Sequence, residues 1–418
     1  MSGRWCWLAA WQASEFGATG GAEDIVARMH RRYRATHWWL LALAGIAACD
    51  GCGGGSVTPH DGDRDGSSDT TPANGCPGTW TRATIAAGAP KPPGLWDAAM
   101  APDPDQGEVL LFGGILAEPL GRSNQAWSWN GTTGTWTNRT PSPLPASWPP
   151  ALAEHRMTWD PVRHRILMFG GSTTDNIATD ELWEWNGAAG TWTNLTPAQR
   201  PTAWPVARVS HAMTYDAGRG RLIVASGYTP YGPMGVGEDT WEWDSAASTW
   251  TDRTPDPLPA AWFEPRQSPL AGIDPSSGRP VLLGGFSGGG SLQNDMWEWN
   301  ASSATWTDLT PSPLPASWPP GGGWSVLAAE PCPGRLIAVG ADLALNDVLP
   351  IDTPQVWQWD GSAGTWTDLT LLSGGGPPAG QVPAAATDPA TKRIVFFGGQ
   401  PRPGNVPNDE TWTWGAAL

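Results

Sequence analysis

Charge is scarce in this 418-residue sequence. Only 15% of residues are Asp, Glu, Lys or Arg, and 24 cations stand against 40 acids, for a formal charge of −16. Nucleic acid recognition needs a positive footprint, so that class of partner is set aside. Long apolar runs are absent too: the stretch from Trp38 to Ala44 falls far below the 18 or more residues of a membrane-spanning helix. Histidine is rare where it would matter for chemistry, with only His155, His164 and His211 in the repetitive part of the chain. Two of these fall on one repeat position and have no evident third ligand, so no cofactor or metal centre is expected there. Cysteine is sparse, and Cys52, Cys76 and Cys332 permit disulfides in an exported protein without choosing a pairing.

What is abundant is Gly (53), Pro (43) and Trp (30). This composition suits many short strands joined by tight turns and does not suit a helical protein.

The first 48 residues are set apart from that pattern. His30-Arg31-Arg32-Tyr33-Arg34 is a basic cluster, Trp38 to Ala44 a short apolar core, and Ile46-Ala47-Ala48-Cys49 resembles the lipobox of bacterial lipoproteins. By that resemblance Cys49 is the lipidated N-terminus of the mature protein, and Met29 is expected as the true start. Residues 49–75 have almost no apolar content and read as a disordered tether. Within it Asp61, Asp63, Asp65 and Asp69 imitate the opening of a calcium loop, but Pro72 occupies the place where a bidentate Glu belongs. The linker reading is preferred.

Residues 76–418 are organised around one unit, LWEWNGAAGTWTNLTP at 182–197. Trp183 and Trp185 share one face of a strand, because side chains two apart point the same way. Thr191-Trp192-Thr193 makes the next strand, and Asn186 to Gly190 form the turn, with two glycines available for positive φ. The WxW pair recurs at Trp127/Trp129, Trp241/Trp243, Trp297/Trp299, Trp357/Trp359 and Trp412/Trp414, at separations of 55 to 60 residues. Apolar runs such as RILMFGG (165–171) and RIVFFGG (393–399) precede each pair and read as strands covered on both faces. Before those lie strands of smaller residues ending in an acid, as in HRMTWD (155–160) and PAAATD (383–388). The repeat is therefore four strands, graded from small residues to tryptophan, as expected for the radial sheets of a propeller. The last unit lacks its TWT strand, and Thr79-Trp80-Thr81-Arg82 supplies one ahead of the first unit. The expectation is an all-β, six-bladed propeller closed by an N-terminal strand.

With Gly-Gly closing the second strand, Asn294-Asp295 or Asn408-Asp409 opening the third, and Trp in the fourth, residues 76–418 resemble kelch-repeat proteins. Ser226-Gly227 and Val339-Gly340 depart from Gly-Gly. The resemblance implies a binding or scaffolding role on the face where the loops after the second and fourth strands open. Those after the fourth strands carry PSPLPASWPP (141–150 and 311–320), PDPLPAAW (255–262) and PAQRPTAWP (197–205). Proline-stiffened segments of this kind would present Trp148, Trp204, Trp262 and Trp318 around a ring, to stack on sugars or anchor a protein. Packing between blades is the competing reading. The acids ahead of the third strand, including Asp180, Glu181, Asp239 and Asp295, are expected to satisfy backbone donors. Arg208 and Arg266 occupy the kelch arginine position.

The function expected from the sequence is a membrane-anchored, extracytoplasmic kelch propeller in a bacterial envelope, periplasmic or at the cell surface. It would be a monomer that binds protein or glycan and is not an enzyme. The alternatives are a carbohydrate-active or copper-oxidase-like enzyme on the same fold, and a structural envelope protein. No cysteine lies near Tyr228 or Tyr231, against the cross-linked Tyr-Cys copper site of galactose oxidase.

Overall fold

The computed structural model describes residues 78–415, apart from gaps at 117–120, 231–234, 322, 331–333, 342–353, 371–375, 378–379, 382 and 402–406. Contacts divide the chain into Met1–Ala73 and Asn74–Leu418. The signal segment, Cys49, Cys52, Cys76, Cys332 and the aspartates Asp61, Asp63, Asp65 and Asp69 all lie outside the described residues.

Every regular element described is a strand, and the main ones form six antiparallel sheets on the four-strand plan of the repeat. Blade 1 is Ala99–Asp103, Glu108–Phe112, Ala126–Asn130 and Thr135–Asn138. Blade 2 is Arg156–Asp160, Arg165–Phe169, Leu182–Asn186 and Thr191–Asn194. Blade 3 is Ala212–Asp216, Arg221–Ala225, Thr240–Asp244 and Thr249–Asp252. Blade 4 is Leu270–Ile273, Pro280–Ser287, Leu292–Asn300 and Thr305–Asp308, with the short Arg266–Gln267 added to its second strand. Blade 5 is Gly323–Ala329, Arg335–Ala341, Gln355–Asp360 and Thr365–Asp368. Blade 6 is Ala384–Thr387, Ile394–Phe397, Thr411–Gly415 and, from the other end of the chain, Thr79–Arg82. First strands of consecutive blades are neighbours all the way round, and that of blade 6 lies against that of blade 1. The arrangement is a β-propeller.

The residue gradient explains the packing. Small side chains at the first strands allow the sheets to converge, while two indoles per blade fill the space where they diverge. In each blade the second Trp of WxW meets the Trp of TWT with ring centroids 5.1 to 5.4 Å apart: Trp129 with Trp136, Trp185 with Trp192, Trp243 with Trp250, Trp299 with Trp306, Trp359 with Trp366, and Trp414 with Trp80. All twelve are buried. At ~150–250 Å² per indole, each removes from water an area worth ~4–6 kcal/mol as an upper bound. The fourth strands bury only their Trp and expose both flanking threonines in five of the six blades.

The hairpin turn differs from expectation in one respect. Of Gly187 and Gly190 only Gly190 has positive φ (66°). Gly187 is small for another reason: a Cβ there would lie 1.9 Å from Asp103 Oδ2 of blade 1. Gly131 meets Asp388 and Gly361 meets Asp274 in the same way. Asp103, Asp274 and Asp388 are thus pressed between blades while each caps its own turn, by accepting from Gln106 N, Ser276 N, and Ala390 N and Thr391 N respectively.

Candidate binding face

The loops after second and fourth strands meet around the end of the central channel. Just before the first strands of blades 1 to 4, Asp97, Glu154, Ser210 and Ser268 occupy one repeat position, and all four have φ between 49° and 60°. Left-handed backbone costs a non-glycine residue roughly 1 kcal/mol. Here it aligns a chain of hydrogen bonds between blades: Glu154 N donates to Asp97 O at 3.0 Å, Ser210 N to Glu154 O at 2.9 Å, and Ser268 N to Ser210 O at 2.7 Å.

The double glycines lock a second tier. The N–H of the second glycine donates to a carbonyl of the next blade, Gly114 to Leu152, Gly171 to Arg208, Gly227 to Arg266 and Gly399 to Leu95, all at 2.8 to 2.9 Å. A Cβ on the first glycine would strike the same carbonyl, 2.4 Å from Leu152 O at Gly113 and 2.2 Å from Leu95 O at Gly398. Ser226, the exception in blade 3, keeps φ at 58° and donates its hydroxyl to Arg266 O at 2.6 Å. Its side chain replaces the missing fit with a bond.

Against these glycines lie His155 and His211. Both are 0% exposed, each edge-on to a phenylalanine of the preceding blade, Phe112 at 5.7 Å and Phe169 at 5.5 Å. None of their ring nitrogens makes a protein hydrogen bond of ordinary geometry. Burial, and then the Arg156 charge, push His155 down to about 3, with a small opposing contribution from the Phe112 backbone. Burial, then Arg156 and Arg208, hold His211 well below the ordinary imidazole range. Both rings fill space between blades and have no exposed surface. Among the described residues no group of three or more His, Cys, Asp or Glu could hold a metal ion.

Above them a polar network spans blades 1 to 3. Glu154 Oε2 accepts from Ser172 Oγ at 2.7 Å and Oε1 from Ser210 Oγ at 3.4 Å, while Arg122 Nη2 donates to Ser172 Oγ at 2.8 Å. Arg156 begins the first strand of blade 2, where the other blades place Ala99, Ala212, Leu270, Val326 and Ala384. Burial lowers its pKa, opposed by the nearby charges of Asp97 and Glu154. Exposed Ile177 and Val206 stand on the adjoining loops.

Of the two readings of these tryptophans, the exposed aromatic ring is corrected and packing between blades is what the structure shows. Trp148, Trp204 and Trp318 are buried and Trp262 is half-buried. Each indole N–H donates to a backbone carbonyl 24 residues earlier, at Asn124, Asp180, Glu238 and Asn294 respectively, at 2.7 to 3.0 Å. Each ring then lies edge-on to an indole of the next blade, Trp185, Trp243, Trp299 or Trp359, with centroids 6.0 to 6.5 Å apart. The proline-rich loops therefore staple blades together and do not present a stacking surface.

The acids ahead of the third strands serve side chains more than backbone. Glu181, Asp239, Asp295 and Glu410 accept the indole N–H of the Trp two residues on. Asp239 also takes Arg208 in a two-pronged pair at 2.8 and 2.6 Å, and Asp295 takes Arg266 likewise. Both guanidiniums are fully buried. Sequence reasoning passed over Asp97, Glu154 and Arg156. The one available signal was Arg156 itself, a charge in a column that is otherwise small or apolar.

No curated protein matches the chain. A family model described as the KLHDC2/KLHL20/DRC7 Kelch-repeats domain matches residues 98–329, more than half of the sequence, from the entrance of blade 1 into the first strand of blade 5. The double-glycine locks, the buried arginine–acid pairs and the tryptophan wedges all fall on this repeat, and the chain belongs to the kelch-repeat family.

Proposed function

We propose that this propeller is a non-enzymatic interaction module that holds a protein partner across the channel mouth formed by blades 1 to 3. The observation that carries the reading is Arg156, a partly exposed charge in a column that is otherwise small or apolar, set on the buried network of Glu154, Ser172 and Ser210 and flanked by exposed Ile177 and Val206. Polar groups framed by a few apolar contacts are the usual composition of a reversible protein interface. Burial of Trp148, Trp204 and Trp318 withdraws the stacking platform a glycan would have used, which favours protein over sugar. The sealing of His155 and His211 speaks against an oxidase or glycosidase working from this face. In the cell the module is a lipoprotein, attached through Cys49 and residues 49–75 and exposed outside the cytoplasm, periplasmic or on the surface.

A photo-reactive amino acid at Ile177, compared with one at Ser303 in a turn at the opposite ends of the strands, tests the face. Adducts with one partner from Ile177 and none from Ser303 are expected; equal labelling from both positions would sink the assignment. Lipid labelling that persists in Cys49→Ala would remove the anchor.

A further inference from the structure

We propose that acid opens the channel mouth: proton uptake by His155 and His211 breaks the interblade hydrogen bonds donated by Glu154 and Ser210, while the rest of the ring stays closed.

The geometry places two imidazoles directly after the two residues that donate those bonds. Glu154 N bonds blade 1 and Ser210 N bonds blade 2, and the next side chain in each case is a fully buried histidine without a protein hydrogen-bond partner. What faces each ring offers a cation little, the Phe112 backbone beside His155 being an acceptor of poor geometry. Toward the preceding blade His155 meets Phe112 and Gly113, and His211 meets Phe169 and Gly170. The charge nearest His155 is Arg156, and His211 faces Arg156, Arg208 and His155 itself, all of like sign to an imidazolium once His155 is protonated. The carboxylates in the neighbourhood are committed elsewhere, Asp239 to Arg208 and Glu154 to Ser172, with Asp97 and Glu154 acting on Arg156. A protonated ring therefore has no acceptor of ordinary geometry until the loop swings out to water, where its affinity for a proton returns to the ordinary value near 6.5.

The sign follows from linkage. The closed mouth binds fewer protons than the open one below pH ~6.5, so opening becomes easier as pH falls toward the depressed closed-state values. Well below pH ~6.5 one histidine approaches about a tenfold rise in the opening constant per pH unit, and two released together approach about a hundredfold. This steepness separates the device from a single titration, and it does not depend on which partner occupies the mouth.

Native-state hydrogen exchange on the full chain between pH 6.5 and 5.0 tests it, following the Glu154 and Ser210 amides after correction for intrinsic exchange. The Gly399 amide, which bonds blade 6 to Leu95 of blade 1, serves as the reference for whole-ring opening. The expected result is a rise at Glu154 and Ser210 that steepens toward about a hundredfold per pH unit as pH falls to 5.0, a flat response at Gly399, and a rise that steepens only toward about tenfold in either His155→Gln or His211→Gln. A pH-independent mouth, an unchanged slope in both variants, or loss of Gly399 protection in step with Glu154 would overturn the proposal. Should neither variant fold, the wild type decides: neutral imidazoles at pH 5.5 together with acid-dependent loss of Glu154 and Ser210 protection support it, and ordinary titration near 6.5 with protection intact contradicts it.

Discussion

Trp306 Nε1 donates to Thr240 Oγ1 at 2.9 Å, from the fourth strand of blade 4 to the first residue of the third strand of blade 3. Trp136 does the same to Thr411, from blade 1 to blade 6. In the other four blades that place holds Ala126, Leu182, Met296 or Val356, and the facing indoles Trp192, Trp250, Trp366 and Trp80 have an Nε1 without a hydrogen-bond partner. One repeat position thus decides whether a buried indole N–H is satisfied. Thr240→Val keeps the shape and removes the acceptor, so it should lower unfolding free energy by about 1–3 kcal/mol. Val356→Thr supplies an acceptor to Trp80 and should be neutral or stabilising by up to about 1 kcal/mol. Denaturant titration of both variants checks the pair: a loss in Thr240→Val and no loss in Val356→Thr is the expected outcome.

The Arg208–Asp239 pair has its cation fully buried and its acid about one quarter exposed. Asp239→Ala leaves that cation without its carboxylate inside blade 3 and should cost about 3–5 kcal/mol. Burial alone would raise the Asp239 pKa, but the Arg208 charge and the hydrogen bonds from Arg208 and Trp241 outweigh it and hold it below the ordinary value. Its contribution to stability is therefore complete above pH ~4, the unfolded carboxylate value, and fades as pH falls further. In Asp239→Asn that part of the acid-side loss should vanish, which a comparison of melting temperatures between pH 5 and pH 3 would register.

Ala304 and Ser248 close the outer hairpins of blades 4 and 3 at φ 51° and 55°, where Gly134, Gly190 and Gly364 stand in blades 1, 2 and 5. Ala304→Gly should stabilise by about 0.5–1 kcal/mol, because relief of left-handed strain exceeds the added chain entropy. Gly187→Ala should go the other way, since its Cβ would displace the Asp103 carboxylate. Thermal unfolding of the two variants should shift in opposite directions.

These hairpins also mark how far the sequence could be read. Period-two alternation in WxW and TWT disclosed strands, facing and blade boundaries, because a single-residue slip would expose every indole. Double glycines disclosed the tight turns. The destination of Trp148 could not be read from PSPLPASWPP, since proline stiffness constrains the backbone without saying whether the indole faces solvent or the Asn124 carbonyl. The smallness of Gly187 was assigned to φ, yet it answers to a carboxylate in a different blade, a contact separated by 84 residues that no local rule contains. The mouth was hidden for the same reason: Asp97, Glu154, Arg156 and Ser210 come together only once three blades are stacked.

The two ends of the described chain share one sheet, with Thr81 opposite Thr413 and Thr413 Oγ1 donating to Thr81 O at 3.4 Å. Cysteines introduced together at Thr81 and Thr413 measure this directly, by mass mapping of disulfides in oxidised, monomeric protein. An intramolecular Thr81→Cys to Thr413→Cys bridge in near-complete yield is predicted. Free thiols at both positions, or bridges formed only between molecules, would show that Thr79–Arg82 does not complete blade 6.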